Sequence, residues 1–139
     1  MKTFRKLTSV MSAAVLVFVL AVFSVSAEDG IMPCSDYTYN NLSICEAYGA
    51  SSVKYGFKLQ GETMVGEIVY TCQLQIKDGG WQDVPGKSFS DSAKRNVYDT
   101  RVASATIGEK YRCKTHYKVY STTGALLEDI TLYGAAMTR

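Results

Sequence analysis

His116 is the only histidine of the chain, and it lies in a row, Lys110, Arg112, Lys114, His116 and Lys118, in which every second residue is basic. A spacing of two puts side chains on one face of a β-strand. The row therefore reads as one cationic surface. Its chemistry suits an anionic partner such as a sulfated glycan, a teichoic-type polymer or an acidic protein. The plainer reading is a solvated strand face whose charges discourage edge-to-edge aggregation. Nucleophilic catalysis needs a nucleophile, a base and an orienting group within reach of one another. A lone imidazole flanked by Lys114 and Lys118 on a wet face does not supply that set. Carboxylates are the remaining source of acid–base chemistry, and Asp78, Asp83, Glu128 and Asp129 are the candidates if the fold brings them together. Each is also an ordinary turn or surface residue. Glu128 stands apart because alternation places it on the side of Ile130 and Leu132, where it could cap a pocket or pair with Arg112.

The chain has four cysteines, Cys34, Cys45, Cys72 and Cys113. No CxxC pair occurs and only one imidazole is present, so zinc chemistry is disfavoured. An even count in a short exported chain reads as two disulfides. In Gly108–Tyr120 (GEKYRCKTHYKVY), Tyr111, Cys113, Thr115, Tyr117 and Val119 occupy the face opposite the basic row. In EIVYTCQLQI, residues 67–76, Cys72 shares a face with Ile68, Tyr70, Leu74 and Ile76. Two inward cysteines suggest a Cys72–Cys113 clamp between layers, with Cys34 paired to Cys45, although four cysteines allow three connectivities. Nine of the ten tyrosines divide in the same way. Tyr55, Tyr70, Tyr111 and Tyr117 point to the core. Tyr37, Tyr39, Tyr48, Tyr120 and Tyr133 are free to serve a surface. Tyr37 and Tyr39 would be displayed on the small loop closed by Cys34 and Cys45, and there they could stack on sugar rings.

The elements that must position these residues follow a leader. Lys2, Arg5 and Lys6 precede an apolar run from Val10 to Phe23, and Ser24-Val25-Ser26-Ala27 supplies small residues for cleavage after Ala27. The run is shorter than the ~20 residues that span a bilayer. Residues 1–27 thus read as a cleaved signal peptide, and the remainder as secreted and extracellular without stable membrane insertion. The leader holds three of the 15 Lys+Arg and none of the 13 Asp+Glu, so the remaining 112 residues carry 12 basic and 13 acidic groups, a net charge of −1. That balance gives no bulk electrostatic case for nucleic acid.

Past the leader, residues 28–41 read as irregular and 42–139 as one β domain. LSICEA (42–47) reads as a short first strand. SSVKYGFKLQ (51–60) alternates, with Val53, Tyr55, Phe57 and Leu59 on one side. After 67–76, Lys77-Asp78-Gly79-Gly80 supplies a tight hairpin, WQDVPG a short returning strand, and KSFSDSAKRN (87–96) a polar connection or weak edge. NVYDTRVASATI, the basic row and LLEDITLY complete about seven strands, at sandwich spacing. Tyr111 two residues before Cys113 matches a tyrosine corner, in which the phenol bonds nearby backbone. Trp81 after Cys72 extends the pattern, though it sits beyond a tight turn and reads as a packing residue.

The hairpin Leu74-Gln75…Gly79-Gly80-Trp81…Val84, the strand Gly108…Tyr111-Arg112 and the closing Gly124…Glu128 resemble a family of small exported proteins of gut Clostridia and other Firmicutes. The resemblance covers about residues 42–134. It implies a single immunoglobulin-like or fibronectin-III-like antiparallel sandwich in an exported bacterial protein, and it implies no activity. The cysteines depart from that pattern. Two functional expectations result. The first is a secreted, non-catalytic β-sandwich, without cofactor or metal, that binds a glycan or protein at the bacterial surface or in the host gut. The second is a secreted effector, a hydrolase or toxin-like protein, with a carboxylate-based site.

Overall fold

The computed structural model describes residues 35–139, all of whose regular structure is β. The leader, residues 28–34 and therefore Cys34 lie outside the described residues. The strands are β1 (Thr38–Tyr48), β2 (Ser52–Gly61), β3 (Val65–Asp78), β4 (Gly80–Ala93), β5 (Asn96–Ser104), β6 (Lys110–Ser121), β7 (Leu126–Tyr133) and the two-residue β8 (Met137–Thr138). They form two antiparallel sheets. One has the order β1-β2-β5 and the other β4-β3-β6-β7, with β8 also paired to β6.

Alternation produces the core. Val53, Phe57 and Leu59 of β2, Ile68, Cys72 and Leu74 of β3, and Cys113, Thr115, Tyr117 and Val119 of β6 are wholly buried. Phe57 packs on Tyr70 and Tyr117, with ring centroids 5.7 and 5.1 Å apart, and so joins the two layers. Val69, the apolar residue out of phase in β3, is exposed on the outer face. The Thr106 backbone N–H donates to the Tyr111 hydroxyl at 2.9 Å, so this phenol bonds nearby backbone.

Two expectations are corrected. The first strand begins at Thr38 rather than near residue 42, because Thr38, Asn41 and Ser43 turn polar side chains inward, where the hydroxyls and the Asn41 amide N–H2 group find hydrogen-bond partners and only Asn41 Oδ1 is left without one. Of the two readings of residues 87–96, the edge strand is the one found for residues 87–93: they are the second half of β4, which pairs with β3 at the edge of its sheet through Ser88, Phe89, Ser90 and Asp91. Trp81 is half-buried and faces Lys77 across the hairpin, on the outer face. The second correction concerns the cysteines: Cys45, Cys72 and Cys113 stand as thiols, and no disulfide joins the two layers among the described residues. Cys72 and Cys113 lie on adjacent strands of one sheet, where Cys72 pairs with Thr115 and Cys113 with Leu74. Diagonal neighbours of this kind stand ~7–8 Å apart between Cα atoms, beyond the ~4.4–6.8 Å that most disulfides span.

Candidate functional site

The outer face of the five-stranded sheet carries the basic row of β6. The sheet is interrupted beside it. The β3–β4 ladder jumps from Gln73 opposite Ser88 to Gln75 opposite Asp83. Residues 84–87, which include Pro85 and Gly86 at φ 69°, form the bulge at this interruption. Proline suits such a place because it has no N–H to give the ladder, and glycine suits it because a side chain strains the left-handed backbone. Gln73 fills the bulge: its amide N–H2 group lies 2.8 Å from the Leu74 carbonyl oxygen, 3.1 Å from that of Val84 and 3.3 Å from that of Lys87. Bulges of this kind recur next to functional sites, where they re-aim side chains.

Arg112 occupies the centre of this region. Its guanidinium carbon lies 4.2 Å from the Trp81 ring centroid and 4.3 Å from that of Tyr133. Its Nε donates to Gln75 Oε1 at 2.8 Å, and Gln75 Nε2 donates to Asp83 Oδ1 at 2.7 Å. Two aromatic faces and one amide therefore fix the guanidinium plane, a geometry open to arginine but not to lysine. Desolvation by these neighbours lowers the Arg112 pKa from its ordinary value without a carboxylate to oppose it, since Asp83 bonds Gln75 instead. Lys114 follows on the same face, opposite Gln73 on one side and Tyr133 on the other. A pre-set cation with its planar faces covered presents an edge suited to paired oxygens of a carboxylate, sulfate or phosphate.

The other half of the basic row is neutralised. His116 Nε2 lies 2.6 Å from Asp129 Oδ1, and Lys118 Nζ lies 3.6 Å from Asp129 Oδ2. The His116 hydrogen bond, with Lys118 adding to it, holds the Asp129 carboxyl below its ordinary value. The row is thus two unlike halves, aromatic-clamped at Arg112 and acid-paired at His116 and Lys118.

Tyr37 and Tyr39 do not join this surface. Tyr37 is half-buried against the core just before β1. Tyr39 is exposed within β1, opposite Gln60, on the other sheet. Neither sits on a displayed loop, because residues 38–48 are one strand.

The carboxylates do not converge either. Asp83 serves Gln75 and Asp129 serves His116 and Lys118. Glu128 faces inward and latches the N-terminal segment. Its Oε1 accepts from Ser35 Oγ at 2.6 Å and from the Asp36 and Tyr37 backbone N–H groups at 3.1 Å each, while Oε2 accepts from Thr38 Oγ1 at 3.1 Å. It neither pairs with Arg112 nor leaves an oxygen free of donors. Among the described residues no three His, Cys, Asp or Glu side chains are arranged to hold a metal ion.

Comparison with protein-family models, with curated proteins and with solved structures finds no match. The site therefore rests on its own geometry. Alternation placed Arg112 on the outer face and left Tyr133 to a surface, but it did not bring Trp81 to them. Hairpin register was the overlooked signal: Lys77 opposite Trp81 puts the indole on the outward face of β3.

Proposed function

We propose that the chain is an exported, non-catalytic binding module whose outer five-stranded face takes an anionic glycan at the cell surface through Arg112. The observation that carries this reading is the guanidinium held between Trp81 and Tyr133. A surface ion pair would steady an arginine at a gain of ~0–1 kcal/mol. This arginine instead gives up part of its hydration to aromatic faces, on a surface whose neighbouring positions are Gln73, Lys114 and Thr71. Leader composition supports export. A fibronectin-III-like variant of the sandwich is favoured because β4 pairs with β3, whereas constant immunoglobulin domains place the corresponding strand in the opposite sheet.

The test is titration of the protein with a sulfated and a uronic acid polysaccharide at low and high salt. Binding that weakens with salt, falls at least tenfold in Arg112→Ala and in Trp81→Ala, and is unchanged in His116→Ala fits the reading. Binding indifferent to Arg112→Ala in a folded variant, or no binding to either polymer, removes it.

A further inference from the structure

The smaller sheet ends on β5, which among the described residues is hydrogen-bonded on one side alone, to β2. Past the two ends of that ladder, the Gly61 N–H donates to the Arg95 carbonyl and the Ala105 N–H to that of Ser51. Backbone groups alternate sides along an antiparallel strand. Val97, Asp99, Arg101 and Ala103 therefore face β2, while Asn96, Tyr98, Thr100, Val102 and Ser104 turn their N–H and C=O groups to the free edge. The Thr100 carbonyl there accepts from the Arg101 guanidinium of its own chain at 3.0 Å. Proteins usually blunt such an edge with a bulge, a proline or a cover. The ladders of the other outer strands are broken, that of β4 at residues 84–87, that of β1 between Tyr39 and Leu42 and that of β7 beside Val119 and Tyr120. The β5 ladder runs unbroken over all nine residues, and the strand holds neither proline nor glycine.

The residue types along β5 mirror one another about Thr100. Asn96 answers Ser104, Val97 answers Ala103, Tyr98 answers Val102 and Asp99 answers Arg101. Val97 and Ala103 are buried, whereas Tyr98 and Val102 are 68% and 52% exposed on the outer face. Asp99 and Arg101 stand at the inner rim, paired with each other. The Tyr70 hydroxyl holds Asp99, and the Arg101 guanidinium lies 4.6 Å from the Phe89 ring centroid.

We propose that β5 pairs antiparallel with β5 of a second copy of this chain, across a two-fold axis at Thr100, so that two three-stranded sheets become one of six. Each Tyr98 then lies opposite Val102 of the partner subunit, and each Asp99 opposite Arg101 of the partner subunit. Aromatic–β-branched and opposite-charge pairs are favoured cross-strand neighbours. The four charges alternate in sign around the axis, and they fix the register. A slip of one residue exchanges the faces, and a slip of two sets Asp99 against Asp99 or Arg101 against Arg101. The contact uses the same strand on both copies and so closes at two. One strand from each side is a small interface, and the dimer should form and dissociate with concentration.

The experiment is sedimentation velocity of the purified protein, with reductant present so that cysteines cannot link copies, from ~10 µM to ~1 mM, the range in which small interfaces assemble. The expected result is a monomer that becomes a dimer as concentration rises. Thr100→Pro removes an N–H that faces the free edge and no bond to β2, and it should stay monomeric with its circular dichroism unchanged. Asp99→Arg and Arg101→Asp each set like charges opposite one another, and each should be monomeric alone. Mixed in equal amounts they restore opposite charges, and a heterodimer should form. Thr100→Pro and the charge pair are independent tests, and either serves if the other does not fold. A protein that stays monomeric at the highest concentration, or a dimer that survives Thr100→Pro and both charge variants, overturns the proposal.

Discussion

At the scale of single residues, the molecule spends its polar groups on positioning. Glu128 is the clearest case. Its inward place in β7 followed from alternation with Ile130 and Leu132, yet its partners lie more than ninety positions away for Ser35 and Asp36. No sequence pattern announces such a contact, because the carboxylate answers backbone N–H groups that exist at every residue. A carboxylate that accepts two N–H and two O–H groups gains charge-assisted bonds worth ~1.5–3 kcal/mol each before cross-talk. Glu128→Ala should therefore destabilise the protein by about 2–3 kcal/mol. Amide exchange at Tyr37 and Thr38 should quicken beyond that of the core. Glu128→Gln keeps one acceptor oxygen but points a donor at the Thr38 hydroxyl, so its cost should be smaller, ~1 kcal/mol. Urea unfolding and hydrogen exchange measure both. A Glu128→Ala variant of unchanged stability would mean the latch contributes nothing.

At the scale of strands, period-two alternation made most of the sheet readable. Phe57, Cys72, Leu74, Cys113 and Tyr117 were all placed inward by counting, and all are buried. What counting could not give was partnership. The register that puts Trp81 opposite Lys77 depends on a hairpin in which Asp78 faces Gly80, and the bulge at residues 84–87 depends on Gln73 bonding three carbonyls. Both are choices between nearly equal pairings, settled by tertiary contacts. The start of β1 was missed because Thr38, Asn41 and Ser43 are polar yet inward, and a polarity pattern reads such residues as surface. Gly56 shows how tightly the smaller sheet is drawn. It lies in mid-strand, opposite Ile44 and Thr100, and a Cβ there would stand 2.1 Å from the Asp99 carbonyl oxygen and 2.7 Å from Thr100 Cα. Backbone cannot swing aside as a side chain can. Gly56→Ala should force β5 away from β2 at a cost of about 3 kcal/mol. It should lower the urea midpoint with little change in the slope of unfolding free energy against urea. A variant that unfolds at the wild-type midpoint would show that β5 moves freely.

At the scale of the whole molecule, the two layers are held together by large aromatic residues whose hydroxyls are kept from water or bonded inside. Tyr55, Tyr70 and Tyr117 all have phenols raised above the ordinary value of 10, chiefly by burial. Tyr70 also donates to Asp99 Oδ2 at 3.0 Å, which ties β3 to β5 across the sandwich. Tyr117 accepts from Asn41 Nδ2 at 2.9 Å and is pushed up to about 12. A phenol that holds its proton more tightly when folded than when unfolded makes stability fall with pH. The contribution is complete below pH 10, where both states keep the proton. It declines between 10 and about 12 as the unfolded chain loses protons that the folded Tyr117 retains, and it is gone above that. Alkaline titration should thus show a late group, Tyr55, Tyr70 and Tyr117, that ionises only as the β-sheet circular dichroism collapses. Tyr117→Phe should remove one step from this late group and leave the Asn41 amide short of a partner, at a cost of ~1–2 kcal/mol near neutral pH. If every tyrosine ionised in a single step near pH 10 while the sheets persisted, the three phenols would be in contact with water, and the core described above could not be closed around them.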